Sequence, residues 1–210
     1  MKSQSNDNCT WQITGRTRVA PPVGSQLPDN WRELLAVRLG QRPRRIGILA
    51  ELALYGALDC LDAAQESALP EDVVLRVCSL RGAATAIGQV LEQNWQDLPM
   101  PFSFLLSQTS QILPALAAAL NWQGDAGIVL ARDPASLALL AAQQAGPNGM
   151  LLGWVEEAHC RSDWFRLARC NTSPANFVAA NSFEEMISPD TRYWRLGSVG
   201  MEIASACDHS

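Results

Sequence analysis

The chain contains two histidines and six cysteines, the side chains that most often supply general bases, nucleophiles and metal ligands. His159 follows a polar strand end and His209 is the penultimate residue, so both are expected at the surface. No two cysteines form a CxxC pair, and Cys60 and Cys78 lie in apolar stretches, where cysteine usually acts as a small buried side chain. The sequence also lacks GxGxxG and GxxxxGK[ST] motifs. We therefore predict no metal, no cofactor and no histidine-dependent catalysis.

A strand-to-helix junction at Asp133 is the part of the sequence that most resembles an active site. The apolar run 127–131 predicts a strand, and Pro134 favours the first position of a helix. The positive field at a helix N-terminus lowers the pKa of a thiol, and enzymes place nucleophilic cysteines at such junctions. Because the residue here is an aspartate, we predict that it acts as the N-cap of the helix.

Glu156 and Glu157 form a carboxylate pair directly after a predicted strand, 150–155. Paired carboxylates can perform acid–base chemistry. Adjacent residues of a strand point to opposite faces of the sheet, however, so the two groups are not expected to converge. We interpret the pair as a solvated strand end.

The composition excludes several classes of function. The chain has 210 residues, of which 48% are hydrophobic and 18% charged, as is typical of a globular protein. Its formal net charge of −5 disfavours binding to nucleic acid or to an anionic membrane. The polar N-terminus does not resemble a signal peptide, and no apolar run reaches the roughly 18–20 residues of a membrane-spanning helix. We therefore expect a cytoplasmic protein without membrane insertion.

Hydrophobic periodicity and the positions of proline and glycine predict the elements that position these residues. Strands alternate with helices, which favours an α/β fold with a layered core. The predicted strands are 10–20, 73–79, 127–131 and 150–155, and the run 127–131 is expected to be buried on both faces. The predicted helices are 31–40, 44–67, 82–95, 110–120 and 134–145, with an extended segment at 102–107. Residues 159–210 are less regular, with possible strands at 164–168 and 193–203.

Four segments, in this order, resemble the β-ketoacyl synthases. Residues 131–139 (ARDPASLAL) are similar to the nucleophile elbow of that family, with Asp133 at the position of the catalytic cysteine. The other three are the arginine-rich lead-in 42–45 with its following helix, the strand and glycine turn 73–82, and the Pro-x-x-Phe-x-x-Ser segment 101–107. Each motif is loose, and their shared order and spacing carry the resemblance.

The resemblance covers about residues 40–158 and extends to the short, stand-alone chain-length factors that occur with aryl polyene biosynthesis. It implies half of a thiolase-like fold, with a layered mixed sheet and helices on both faces, in a single domain 1–210 with an irregular extension at 159–210. A complete ketosynthase has two βαβαβαββ halves, and its second half supplies two catalytic histidines and a lysine. The chain has room for one half and lacks the elbow cysteine, so the resemblance implies a pseudoenzyme.

The function implied is that of a non-catalytic subunit in a heterodimer with a complete β-ketoacyl-carrier-protein synthase. Such a subunit would stabilise the enzyme and shape the end of its acyl tunnel, and would meet the acyl carrier protein only indirectly. The tunnel-end candidates are Phe102, Phe104 and Leu106, for which ordinary core packing is the alternative. Further tunnel or interface candidates are Ser107, Leu113, Leu116, Ile128 and Leu130.

Two other functions remain open at this stage. One is a self-contained small enzyme that uses Asp133 or Glu156 as a general base. The other is a homodimeric scaffold module without a ketosynthase partner.

Overall fold

The computed structural model describes residues 9–19, 27–98, 100–171, 174, 176–197 and 200–205. Eight strands form one mixed sheet in the order β3-β2-β4-β5-β1-β7-β8-β6. The strands are β1 (Thr10–Val19), β2 (Val74–Ser79), β3 (Ala126–Leu130), β4 (Met150–Glu156), β5 (Arg161–Cys170), β6 (Val178–Ala179), β7 (Thr191–Leu196) and β8 (Met201–Ser205). The helices are α1 (Trp31–Arg38), α2 (Gly47–Ala64), α3 (Ala84–Trp95), α4 (Pro101–Ser107), α5 (Ile112–Ala119), α6 (Pro134–Gln144) and α7 (Phe183–Met186), with a 3₁₀ turn at Thr109–Gln111.

The order of the elements from β1 to β5 is β-α-β-α-β-α-β-β when the helices between successive strands are grouped. Strand β2 is parallel to β3 on one side and to β4 on the other, and the remaining neighbours are antiparallel. Because β2, β3 and β4 are parallel, their carboxyl ends lie at the same end of the sheet. The elbow, the glycine turn and the glutamate pair therefore lie at one end of the molecule.

Two cores lie on the opposite faces of the sheet. Alternate residues of β2 and β4 enter different cores, because successive side chains of a strand point in opposite directions. Leu75 and Leu151 pack with α2 and α5 on one face, whereas Val74 and Leu152 pack with α6 and α7 on the other. This is the predicted layered arrangement, with helices on both faces of a mixed sheet.

Helix α2 is the central helix of the first core, as its three- and four-residue apolar spacing predicts. Gly56 lets it approach the sheet closely, since a Cβ atom there would overlap Ser162 and Trp164. The Ser162 hydroxyl donates a hydrogen bond to the Leu52 carbonyl at 2.7 Å, which fixes the same contact. The Trp164 indole in turn donates to the Ser162 hydroxyl at 3.1 Å.

Three parts of the fold differ from the sequence predictions. Residues 102–107, predicted to be extended, form α4 together with Pro101, which lies in the first turn, where proline is tolerated. Strand β3, predicted to be buried on both faces, is the outermost strand on one side of the sheet. It is only partly buried, because nothing in the described chain covers its outer edge. The region after 159, predicted to be largely irregular, supplies β5, β7 and β8 to the sheet. Among the described residues, no helix combines the length and the hydrophobicity that crossing a bilayer requires.

Candidate functional site

The elbow at the end of β3 has the geometry of a capped helix. Asp133 precedes α6, and its Oδ1 accepts a hydrogen bond from the backbone N–H of Ala135 at 2.9 Å. The Ser136 hydroxyl donates to the other carboxylate oxygen, Oδ2, at 3.4 Å. The predicted N-cap is therefore confirmed, and both carboxylate oxygens have partners within the elbow itself.

Cys78 is the cysteine that lies beside the elbow. It occupies β2 next to β3, and its Sγ lies 3.7 Å from the Ala131 carbonyl oxygen, which accepts its weak hydrogen bond. The residue is fully buried, and burial, together with the nearby Glu156 carboxylate, raises the pKa of the thiol to about 11. The thiolate is the reactive form of cysteine, so Cys78 is a poor substitute for a nucleophile at the elbow.

The sequence suggested that Glu156 and Glu157 form a solvated strand end, and the structure shows that they do not. Glu156 is buried, and its Oε1 accepts a hydrogen bond from the backbone N–H of Leu80 in the turn after β2. Glu157 is half-buried and accepts hydrogen bonds from the backbone N–H groups of Leu49 and Thr85, at 3.1 and 2.9 Å. These nitrogens belong to the first turns of α2 and α3. The interpretation of the pair as a solvated strand end was wrong because α2 and α3 both begin beside the carboxyl end of β4.

The remaining chemically active side chains do not converge. His159 and Cys160 are exposed in the turn between β4 and β5, and His209 lies outside the described residues. Within the described ranges, no three residues of the types His, Cys, Asp and Glu form a group that could hold a metal ion. The polar side chains at the carboxyl ends of β3 and β4 are thus mainly carboxylates that accept backbone hydrogen bonds.

An exposed apolar surface lies next to the elbow. Ten of the fifteen large hydrophobic side chains that are exposed in the described chain fall between residues 80 and 130. They are Leu80, Ile87, Leu91, Trp95, Leu98, Met100, Phe102, Phe104, Leu105 and Leu130, and we call them the apolar face. An exposed apolar patch of this kind usually marks a site of protein association or ligand binding.

Helices α3 and α4 form most of the apolar face. Ala86 is the single buried residue of α3, and none of the seven residues of α4, all of which the structure describes, is buried. Ile87, Leu91 and Trp95 follow one another at four-residue spacing on α3, and the Trp95 side chain is 88% exposed. Such spacing normally indicates a helix face that packs against a core.

A groove separates α3 from α4 within the apolar face. It is lined by Val90, Gln93 and Asn94 from α3 and by Met100, Pro101 and Phe104 from α4 or just before it. Its accessible volume is about 230 Å³, and most of its wall is apolar. The groove is open to solvent, so it offers a recess for apolar side chains of another molecule.

The predicted tunnel-end residues lie in α4, at the centre of this face. Phe102 and Phe104 are exposed, whereas Leu106 is partly buried against the first core. The Ser107 hydroxyl donates a hydrogen bond to the Phe104 carbonyl at 2.7 Å, at the end of the helix. The structure thus brings the two phenylalanines to the surface and turns Leu106 toward the core.

The predicted interface residues separate into two groups. Leu130 is 60% exposed at the end of the edge strand β3 and belongs to the apolar face. Leu116 is 1% exposed and Leu113 is partly buried, because α5 packs against α2. Ile128 is also partly buried against the same core. Leu116 is therefore not available for contact with another molecule in this structure.

Sequence reasoning missed the residues of α3 that dominate the face, Leu91 and Trp95. The sequence predicts a helix over 82–95, and amino-acid type alone does not show whether its apolar side chains pack into the core or contact another molecule.

Comparisons with known proteins place the fold. No protein-family model matches the chain, and no curated protein matches it in sequence. A solved structure does match: the ketosynthase ApeO in complex with its chain length factor ApeC, from Xenorhabdus doucetiae. The similarity covers 94% of this chain and 99% of the matched chain, with a TM-score of 0.53 and 14% sequence identity. The fold is ketosynthase-like. The α/β class and the thiolase-like arrangement predicted from the resemblance are confirmed by this similarity.

Since the match covers nearly all of both chains, the matched chain has about the same length as this one. The protein of the solved structure is a complex of a ketosynthase with a chain length factor. For this chain, such an assembly is a matter for proposal.

Proposed function

We propose that this chain is a non-catalytic, ketosynthase-like subunit that forms a heterodimer with a complete β-ketoacyl-carrier-protein synthase and acts as its chain-length factor. The observation that carries the proposal is the exposure of α3 and α4 in a chain whose fold is that of a component of such a complex. A seven-residue helix without a buried residue contributes little to its own stability, because isolated short helices are marginal in water. A partner that covers α4 would supply the missing packing.

The edge strand β3 is the second part of the proposed contact. Its outer edge has no neighbour in the described sheet, and the exposed Leu130 ends it beside the apolar face. An unpaired edge strand is a template for pairing with another chain, and proteins normally protect it. One partner that buries β3 and the apolar face would cover both the unpaired strand edge and the exposed apolar side chains.

The absence of catalysis is supported by the chemistry of the elbow. The resemblance places Asp133 where a ketosynthase has its cysteine, and this carboxylate caps α6. The nearby thiol, Cys78, is buried with a raised pKa. Glu156, the alternative general base, has an oxygen that accepts a backbone hydrogen bond at the end of β2. These observations support a structural rather than a catalytic elbow.

The product limit is proposed to depend on Phe102 and Phe104, at the exposed surface of α4. The resemblance places the segment that contains them before the interface helix of the family, which makes it the candidate for the end of the partner's acyl tunnel. Large aromatic side chains there would close the tunnel and set the length of an acyl chain. The pathway would be the synthesis of an aryl polyene type of lipid in the cytoplasm, with the carrier protein bound chiefly by the enzyme subunit.

Co-expression with the ketosynthase of the source organism tests the proposal. We expect the two chains to elute together in size-exclusion chromatography with a one-to-one stoichiometry. The ketosynthase should also be less soluble or less active when it is expressed alone. A ketosynthase that is equally soluble and active alone, with no complex on the column, would contradict the proposal. A stable homodimer that does not exchange with the ketosynthase would support the scaffold function instead.

A further inference from the structure

We propose that five arginines form a positive rim around the apolar face and pair with carboxylates of the ketosynthase partner. This inference rests on the proposed function and specifies the chemistry of the surface that the partner presents. The arginines are Arg42, Arg44, Arg45, Arg81 and Arg132, and we call them the arginine rim. All five are exposed, in a chain whose formal net charge is −5.

The five arginines of the rim have no carboxylate partner, a property that they share with Arg16, Arg169 and Arg192 in the described chain. Seven arginines form ion pairs within the described part of the chain, on both faces of the sheet and along α1. No member of the rim has an ion pair among the described residues, although acidic residues outnumber basic ones 21 to 16 in the whole chain. Five of the eight described arginines without an ion pair thus lie beside one surface of an acidic chain.

The arginine rim is continuous with the apolar face on two sides. The guanidinium carbon of Arg45 lies over the Phe102 ring, 5.6 Å from its centroid, which joins the loop before α2 to α4. On the other side, Arg81 follows the exposed Leu80, and Arg132 lies two residues after Leu130. An apolar centre bordered by charged groups is the usual arrangement of a protein–protein interface.

The loop before α2 carries three arginines, and one carboxylate, that of Glu157, contacts the first turn of this helix. Arg44 and Arg45 directly precede the N-terminus of α2, where the helix dipole disfavours positive charge. The first turn of α2 has no acidic residue, and Ile46 at the N-cap provides no side-chain hydrogen bond. Arg45 also adopts a positive φ of 62°, which is uncommon for a residue other than glycine. Because Glu157 already accepts hydrogen bonds from Leu49 and Thr85, carboxylates of a partner would offset the charge of the arginines in the loop.

Three carboxylates lie in the same region and reduce the positive charge only in part. Glu92 is exposed on α3 and Asp97 in the turn that follows it, while Asp133 caps α6. Among the exposed groups, five positive charges thus face three negative ones, whereas the buried Glu156 and the half-buried Glu157 accept backbone hydrogen bonds in the same region. We therefore infer that the partner surface is acidic at its edge and apolar at its centre.

Charges at the edge of an interface mainly accelerate association, and salt screens them. The test uses this chain and its ketosynthase as purified proteins, with association and dissociation rates measured at about 0.05 M and about 0.5 M NaCl. We expect the wild-type association rate to fall at least about tenfold at the higher salt concentration. The dissociation rate should change less.

Charge reversal of the arginine rim provides the matched comparison. The variants Arg42→Glu/Arg44→Glu and Arg81→Glu/Arg132→Glu should each slow association at low salt by about tenfold or more and lose this effect at high salt. The control is Arg169→Glu/Arg192→Glu, which changes two other exposed arginines by the same charge, on β5 and β7. The control should associate at nearly the wild-type rate. Circular dichroism verifies that each variant is folded.

Each outcome bears on a specific claim. A wild-type association rate that does not depend on salt overturns the inference without any variant. Equal effects of the rim and control variants also overturn it, because they would reflect net charge rather than position. If the wild-type chain forms no complex, the proposed function fails. If the complex forms and the rim variants bind normally, only the arginine rim fails.

Discussion

The carboxylate of Glu157 accepts a hydrogen bond from the backbone N–H of Thr85, with 2.9 Å between Oε2 and the nitrogen. Its other oxygen accepts from the backbone N–H of Leu49 at 3.1 Å. Helices α2 and α3 both lack a side-chain cap from their own N-cap residues, Ile46 and Ala83. One carboxylate at the end of β4 thus completes the N-termini of two helices, one of which carries part of the apolar face.

Replacement of Glu157 by alanine should therefore destabilise the chain more than the loss of an ordinary cap. We expect the free energy of unfolding to fall by about 1–3 kcal/mol, because two backbone donors lose a charged acceptor. Urea unfolding followed by circular dichroism measures this change. Glu92→Ala, which removes an exposed carboxylate on α3, is the control and should change stability by less than about 0.5 kcal/mol. Equal effects of the two substitutions would show that Glu157 has no special role.

Asp133→Ala tests whether the elbow is structural. The substitution removes the N-cap of α6 and should lower the free energy of unfolding by about 1 kcal/mol. Asp133→Ser keeps an oxygen at the cap and should retain most of that stability. In a complex with the ketosynthase, both variants should leave the condensation rate nearly unchanged. A large loss of condensation in a complex that still assembles would show that Asp133 takes part in the chemistry.

The cysteines should react with iodoacetamide in an order set by exposure and pKa. Cys160 is exposed, whereas Cys78 is fully buried and its thiol pKa is raised to about 11. At pH 8 the native protein should be alkylated at Cys160 while Cys78 remains unmodified, and denaturant should abolish the difference. Peptide mass spectrometry gives the two extents of reaction directly. Rapid native-state alkylation of Cys78 would instead indicate an accessible thiolate beside the elbow.

Single charged substitutions in the apolar face should prevent assembly without unfolding the chain. Trp95→Asp and Phe104→Asp alter side chains that are 88% and 57% exposed, so their effect on the isolated chain should be small. In the complex each would place an unpaired charge in an apolar contact and weaken binding by about 100-fold or more. Val37→Asp, at a 79% exposed position on α1, is the matched control. Sizing and calorimetry distinguish the results, and normal binding by both face variants would exclude this surface as the contact.

The features predicted correctly from the sequence are those that depend on neighbouring residues. The periodicity of α2, the apolar run of β4 and the Asp133-Pro134 junction each form the local structure that their residues favour. The segment 102–107 was wrongly predicted to be extended because the preceding Pro101 is compatible with a helix start and with a loop before an extended segment. Only its packing beside α3 selects the helix.

The features that could not be predicted depend on the position of an element in the sheet. An apolar pentapeptide such as β3 is compatible with a central strand and with an edge strand, and the strand order makes it an edge. The role of Glu157 requires two helices from distant parts of the sequence to begin beside the end of β4. No pattern of neighbouring residues predicts that these two helices begin at the same place.

The sequence alone determined the alternation of strands and helices, the capped elbow and the absence of a cysteine at that elbow, because these follow from residue type and short-range spacing. The tertiary structure decided which apolar residues are buried. Leu116 on α5 and Leu91 on α3 are the same amino acid in helices, yet one is 1% and the other 55% exposed. The physical reason is that burial depends on what packs against a side chain, and α5 packs against α2 whereas the outer face of α3 has no cover in the described chain.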